Sequence, residues 1–232
     1  MGNFNWNTVG AQLVAGRYGG LAQGDVIGVA EWERFLQRFP FPSPADAWPF
    51  LQDLHRAKLS APARACPRVF VSHRHSDAHF ALRVAWIAHQ EQVEYWLDVI
   101  DIPKTFGVPG AVVNSFNGTL LIAVLIEMAL INCTHVLAVM TPDTAPSRWV
   151  PYEYGRIKDD PPGRLTASCW RHPALPWSDL PEYLHLAPVL SDEAHIRSWL
   201  QVEKYYFPRC RWTGAGEWES KGDYPEPLPG SG

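Results

Sequence analysis

The sequence predicts an α/β fold, a doubly wound parallel sheet of five strands preceded by a partly helical extension. Three observations predict it. Short apolar runs at 69–73, 94–99, 135–140, 165–170 and 185–190 have the length of buried strands. Segments of helical character stand between them, and strands alternating with helices are the pattern of a parallel sheet. An apolar content of 47% with 12% aromatics supplies a substantial core and excludes a wholly disordered chain.

Residues 1–65 stand apart from this alternation as an N-terminal extension without an assignable role. Gly16, Gly19, Gly20, Gly24 and Gly28 lack the spacing and the preceding strand of a dinucleotide fingerprint. Val29, Trp32, Phe35, Leu36 and Phe39 then recur at helical spacing, and Pro40 stops that helix. Phe41-Pro-Ser-Pro44 reads as a turn, and 46–59 as a second amphipathic helix. The alternation occupies 66–206. After the first strand a helix is expected over 77–90, with Ser76 or Asp77 as its cap. A Pro- and Gly-containing loop covers 100–117, and a helix apolar nearly all round covers 118–132, to be buried or in an interface. The third strand is followed by a helix ending near Asp159 and the fifth by one over 192–205. This order of elements is that of the flavodoxin-like sheet. Residues 207–232 are polar, rich in Pro and Gly, and expected to be an irregular tail.

Charge and cysteine content narrow the function classes. A net charge of −4 gives no basic footprint for nucleic acid. The most apolar run, 120–131, is far shorter than the roughly twenty residues a membrane span requires, and it contains Glu127. The first residues lack a basic start and apolar core, so no secretory signal is expected. Cys66, Cys133, Cys169 and Cys210 show no paired metal spacing and read as reduced thiols of a cytoplasmic protein. His73, His75 and His79 cluster, but His73 and His75 diverge on an extended chain and no further ligand completes a set, so no metal is expected.

The candidate site lies where strands end. Ligands in open α/β sheets bind at the carboxyl edge. There the first strand delivers Ser72, His73 and Arg74, the second Asp98 with Phe106 on the loop beyond, and the third Ser147, Trp149 and Glu153. Cations for a pyrophosphate, rings for stacking and carboxylates for ribose hydroxyls suit a dinucleotide. Pro151 is tolerated only in a first helical turn, which puts Glu153 near a helix start, where the macrodipole favours an ionised carboxylate. Blander roles stand beside these. Glu153 as a dipole-complementing glutamate, Trp149 as a core residue, and Asp98 as a loop cap all fit the residues alone.

Phe70-Val-Ser-His-Arg74 resembles the opening box of the TIR (Toll/interleukin-1 receptor) domains, and Trp149-Val-Pro-Tyr-Glu153 resembles their Trp-x-x-x-Glu element. The resemblance spans about residues 66–205. It departs from the family at Pro151, at His73, and in the added N-terminal segment. The resemblance implies a bacterial NAD⁺-cleaving TIR enzyme of the stand-alone, Thoeris-like kind, with Glu153 catalytic. Ser72, His73, Arg74, Asp98, Phe106, Ser147 and Trp149 would then contact NAD⁺, a substrate and not a resident cofactor. It further implies self-association through loop 100–117, a separate effector or activating protein, and a role in antiphage defence. Departure of neutral nicotinamide needs no general acid, so a single glutamate can serve where glycosidases generally use two carboxylates. Two rivals remain: a non-catalytic TIR adaptor acting by TIR–TIR assembly, and a flavodoxin-like module for another nucleotide.

Overall fold

The structure is a computed structural model describing residues 27–60, 66–97, 116–157, 165–208, 210 and 225–230. These fall into two compact units, one holding 27–60 and 116–132, the other 66–97, 133–157, 165–208, 210 and 225–230. Their helices and strands, in chain order, are α1 (Val29–Arg38), α2 (Pro44–Ser60), β1 (Arg68–Ser72), α3 (Ala78–Gln90), β2 (Glu94–Leu97), α4 (Phe116–Asn132), β3 (His135–Met140), α5 (Trp149–Ile157), β4 (Ala167–Arg171), β5 (Val189–Leu190) and α6 (Glu193–Tyr205).

In the first unit α1, α2 and α4 share one apolar cluster built around Trp32, Phe35, Phe50, Leu54, Leu121 and Met128. Phe35 is ringed by Trp32, Phe41 and Phe50 at centroid separations of 5.5, 5.2 and 4.7 Å. Two asparagines on α4 hold the backbone on either side of α1. Asn132 accepts from the Ile27 N–H at 2.8 Å and donates to the Ile27 carbonyl at 2.9 Å. Asn117 does the same for Phe41, at 2.9 and 3.2 Å. Gly28 must be glycine: its φ is +84°, and a Cβ there would meet Leu54 Cδ1 at 2.7 Å. Helix α4 begins at Phe116, two residues before the expected start.

The second unit is the five-stranded sheet, entirely parallel, in the order β2-β1-β3-β4-β5. This is the flavodoxin-like order, with its switch point between β1 and β3. Strand partners in register present their side chains to the same face. Val69, Val71, Tyr95, Leu137, Val139 and Trp170 face α3 and α6 and form the main core with Val84, Ile196 and Leu200. The other face presents the register row Ser72–Ala138–Cys169. Strand β5 has two residues instead of the expected run from His185, because 182–186 form a 3-10 turn capped at Ala187, and the chain meets β4 only from the Pro188 carbonyl onward.

Cys66 and Cys210 form a disulfide across 144 residues, which corrects the expectation that all four cysteines are reduced; Cys133 and Cys169 are free and buried. The pairing escaped the sequence because the two halves meet only after α6 has crossed back to the start of β1. Among the described residues no helix is long and apolar enough to cross a membrane.

Candidate functional site

Helix α5 is short, and its buried positions are Val150, Glu153, Tyr154 and Ile157. That is the i, i+3, i+4, i+7 stripe of an inward-facing helical surface, with a carboxylate where an apolar side chain is usual. A carboxylate so placed needs hydrogen-bond donors. Glu153 is only 5% exposed, and its Oε2 accepts a 2.5 Å hydrogen bond from Ser72 Oγ at the carboxyl end of β1. Ser72, itself fully buried, opens the register row completed by Ala138 and Cys169. The two sequence boxes, eighty-one positions apart, are therefore bonded to each other.

The beginning of α5 explains why Glu153 can sit there. Ser147 Oγ accepts from the N–H groups of Trp149 and Val150 at 3.3 and 3.4 Å and so caps the helix. Pro151 is the third residue of the helix, where its missing N–H leaves no intrahelical bond unmade, and the helix runs unbroken to Ile157. Trp149 and Glu153 thus keep the i, i+4 relation that shares a face. Their depths differ: Trp149 is 40% exposed and meets the equally exposed Tyr152 edge to face, with centroids 5.9 Å apart.

The remaining expected site residues are distributed unevenly. His73 is half-buried with Nδ1 3.0 Å from the Val71 carbonyl. Arg74 is exposed at the same edge and donates through Nη1 to the Asp143 carbonyl at 2.7 Å, tying the end of β1 to the β3–α5 connection. Asp98 and Phe106, with loop positions 100–115, lie outside the described residues.

Several groups near Glu153 carry no sequence signature. Tyr183, on the turn after β4, has its hydroxyl pushed up to about 12, first by burial and then by the Cys169 thiol and the Glu153 carboxylate. Its ring meets that of Tyr154 at 5.5 Å. Burial likewise pushes the Cys169 thiol up to about 12. The Tyr183 phenol, which feels the Glu153 carboxylate, and the Cys169 thiol are therefore both neutral near pH 7. Nothing around Pro181-Glu-Tyr183 singles out that tyrosine, although the strand position of Cys169 was readable.

Asp77 also departs from expectation. It occupies the cap position before α3, yet makes no side-chain cap bond. Its carboxylate is buried and accepts from Thr141 Oγ1 at 2.9 Å and from Thr144 Oγ1. It therefore joins the β1–α3 and β3–α5 connections at the carboxyl edge of the sheet. Among the described residues, no group of three or more His, Cys, Asp or Glu is arranged to hold a metal ion.

The arrangement offers a buried carboxylate bonded to a strand-end hydroxyl at the switch point, a guanidinium at the rim, and an exposed aromatic pair at the start of the same helix. Chemically, this can steady developing positive charge against a fixed anion while rings and a cation hold the rest of a ligand. No family model, curated protein or solved structure matches this chain.

Proposed function

We propose that the chain is an NAD⁺-cleaving enzyme of the TIR kind. In this proposal, Glu153 stabilises the oxocarbenium-like ribose centre as nicotinamide departs, and water or a second nucleophile then takes the ribose carbon. With water the balance is NAD⁺ plus H₂O to nicotinamide, ADP-ribose and a proton; an internal nucleophile gives a cyclic product. Arg74 serves the pyrophosphate and Trp149 a ring of the substrate, with His73, Asp98, Phe106 and Ser147 as further candidate contacts. The product either signals to a separate effector or reflects NAD⁺ depletion in antiphage defence. Self-assembly through loop 100–117 or an activating partner switches the enzyme on.

The observation that carries this reading is the Ser72–Glu153 hydrogen bond. It gives a buried carboxylate in an otherwise apolar helical stripe a specific partner at the strand end where ligands of such sheets bind. A second reading has its own support. Glu153 is 5% exposed, as suits a structural carboxylate in a TIR scaffold that acts by assembly alone.

The full chain incubated with NAD⁺, with and without a crowding agent, separates the two when nicotinamide and nucleotide products are followed by mass spectrometry. Nicotinamide release that disappears in Glu153→Gln supports the enzyme. A folded, assembling protein that releases none supports the scaffold.

A further inference from the structure

Residues 225–230 have no helix or strand, yet they are firmly seated. Leu228 is 2% exposed and belongs to the same core cluster as Ala81, Val84, Ile196 and Leu200. Its N–H donates to Glu193 Oε1 at 2.8 Å. Arg83 Nη1 donates to the Pro225 carbonyl at 2.9 Å. Arg83, on α3, and Glu193, at the start of α6, are themselves joined by two hydrogen bonds of 2.8 and 3.0 Å. Gly230 adopts φ +91°, and a Cβ there would touch Pro173 and the Ser191 carbonyl at 3.4 Å.

The seat reads Pro225-Glu-Pro-Leu-Pro-Gly230 through one apolar anchor and two backbone groups, which is how folded domains hold short extended peptides. The ion pair beneath it stands without the tail. Arg83 engages both oxygens of Glu193, so departure of the segment leaves no unpaired charge. The Cys66–Cys210 disulfide fixes where the tail leaves the sheet unit. Residues 211–224 separate that point from the seat and span at most about 50 Å when extended, enough to reach a neighbouring copy.

We infer that segment 225–230 is a displaceable peptide ligand and that its seat accepts the same segment from a second copy of this chain, linking copies by tail exchange. The inference is independent of any reaction at Glu153.

A complementation experiment tests it. Leu228→Asp keeps the seat but spoils the tail, and Arg83→Ala keeps the tail but weakens the seat. Each full-length variant alone should sediment as a monomer, and an equimolar mixture should form a one-to-one heterodimer. Two folded variants that never associate at 100-fold the wild-type working concentration overturn the inference. Should either variant fail to fold, native-state hydrogen exchange on the wild type decides. The Leu228 amide is expected to exchange at least tenfold faster than that of Leu137 in β3, through local release of the tail. Equal rates at the two amides would mean that the segment is an inseparable part of the core.

Discussion

Glu153 occupies a position that stability alone would give to an apolar residue. Removing its charge while keeping its shape therefore separates function from folding. Glu153→Gln retains an oxygen for the Ser72 hydroxyl and relieves a buried charge, so thermal unfolding should stay level or rise by about 1 kcal/mol equivalent. Ser72→Ala withdraws a hydroxyl from that carboxylate and should cost about 1–3 kcal/mol by urea denaturation. A stability loss on Glu153→Gln larger than that of Ser72→Ala would mark the carboxylate as structural. Asp77 is the structural counterpart. Asp77→Ala strands the hydroxyls of Thr141 and Thr144 and should lower stability by about 1–3 kcal/mol, again by urea titration. The same residues show what a sequence conceals. Ser72 and Glu153 were legible because both follow apolar strands and stand in recognisable boxes. The tie from Asp77 to two threonines was not, since a carboxylate before a helix looks the same whether it caps that helix or crosses to another loop.

At the scale of elements, strand β4 and the turn behind it carry groups whose neutral forms the fold favours. Cys169 is raised from about 9 to about 12, and Tyr183 from about 10 to about 12, each chiefly by burial. A raised folded value means that stability is fully present below the unfolded value and is lost as pH climbs toward the folded one. The unit should therefore weaken between pH 9 and 12, and Cys169→Ala should delay the onset toward pH 10. Fluorescence-monitored urea melts across that range check it, and a decline of unchanged onset in the variant would contradict the assignment. Acid acts on the tail instead. Burial tends to raise the Glu193 carboxyl, but the Arg83 hydrogen bond and the Leu228 N–H outweigh it and hold it below its ordinary 4.5. Its contribution is present above pH 4.5 and is lost as pH falls through the depressed value, so protection of the Leu228 amide should fade there first. Most elements were legible from periodicity, β3 to the residue. Helix α4 and strand β5 were misjudged at their starts because Asn117 binds the Phe41 backbone and the Pro181–Pro188 stretch makes a turn, both matters of neighbours and not of local pattern.

For the molecule as a whole, the sheet order 2-1-3-4-5 was legible because helices separate the first four strands, and right-handed crossovers leave few ways to lay parallel strands. The disulfide did not follow, since cysteines 144 apart carry no spacing signal. It closes nearly the whole sheet unit into one loop. Its reduction should lower stability by about 3–5 kcal/mol, read as a shift of the urea midpoint with and without reductant. An unchanged midpoint would mean that the link forms no part of the folded unit's constraint.

On the proposed function, NAD⁺ cleavage depends on the buried carboxylate bonded to Ser72. The direct measurement is the rate of nicotinamide release by wild-type protein and by Glu153→Gln, under the condition in which the wild type is most active and at matched folded fraction. Nicotinamide release should fall about 10²–10³-fold or more in the variant, the size of one lost electrostatic contact at a developing charge. Equal rates in the two proteins would contradict it.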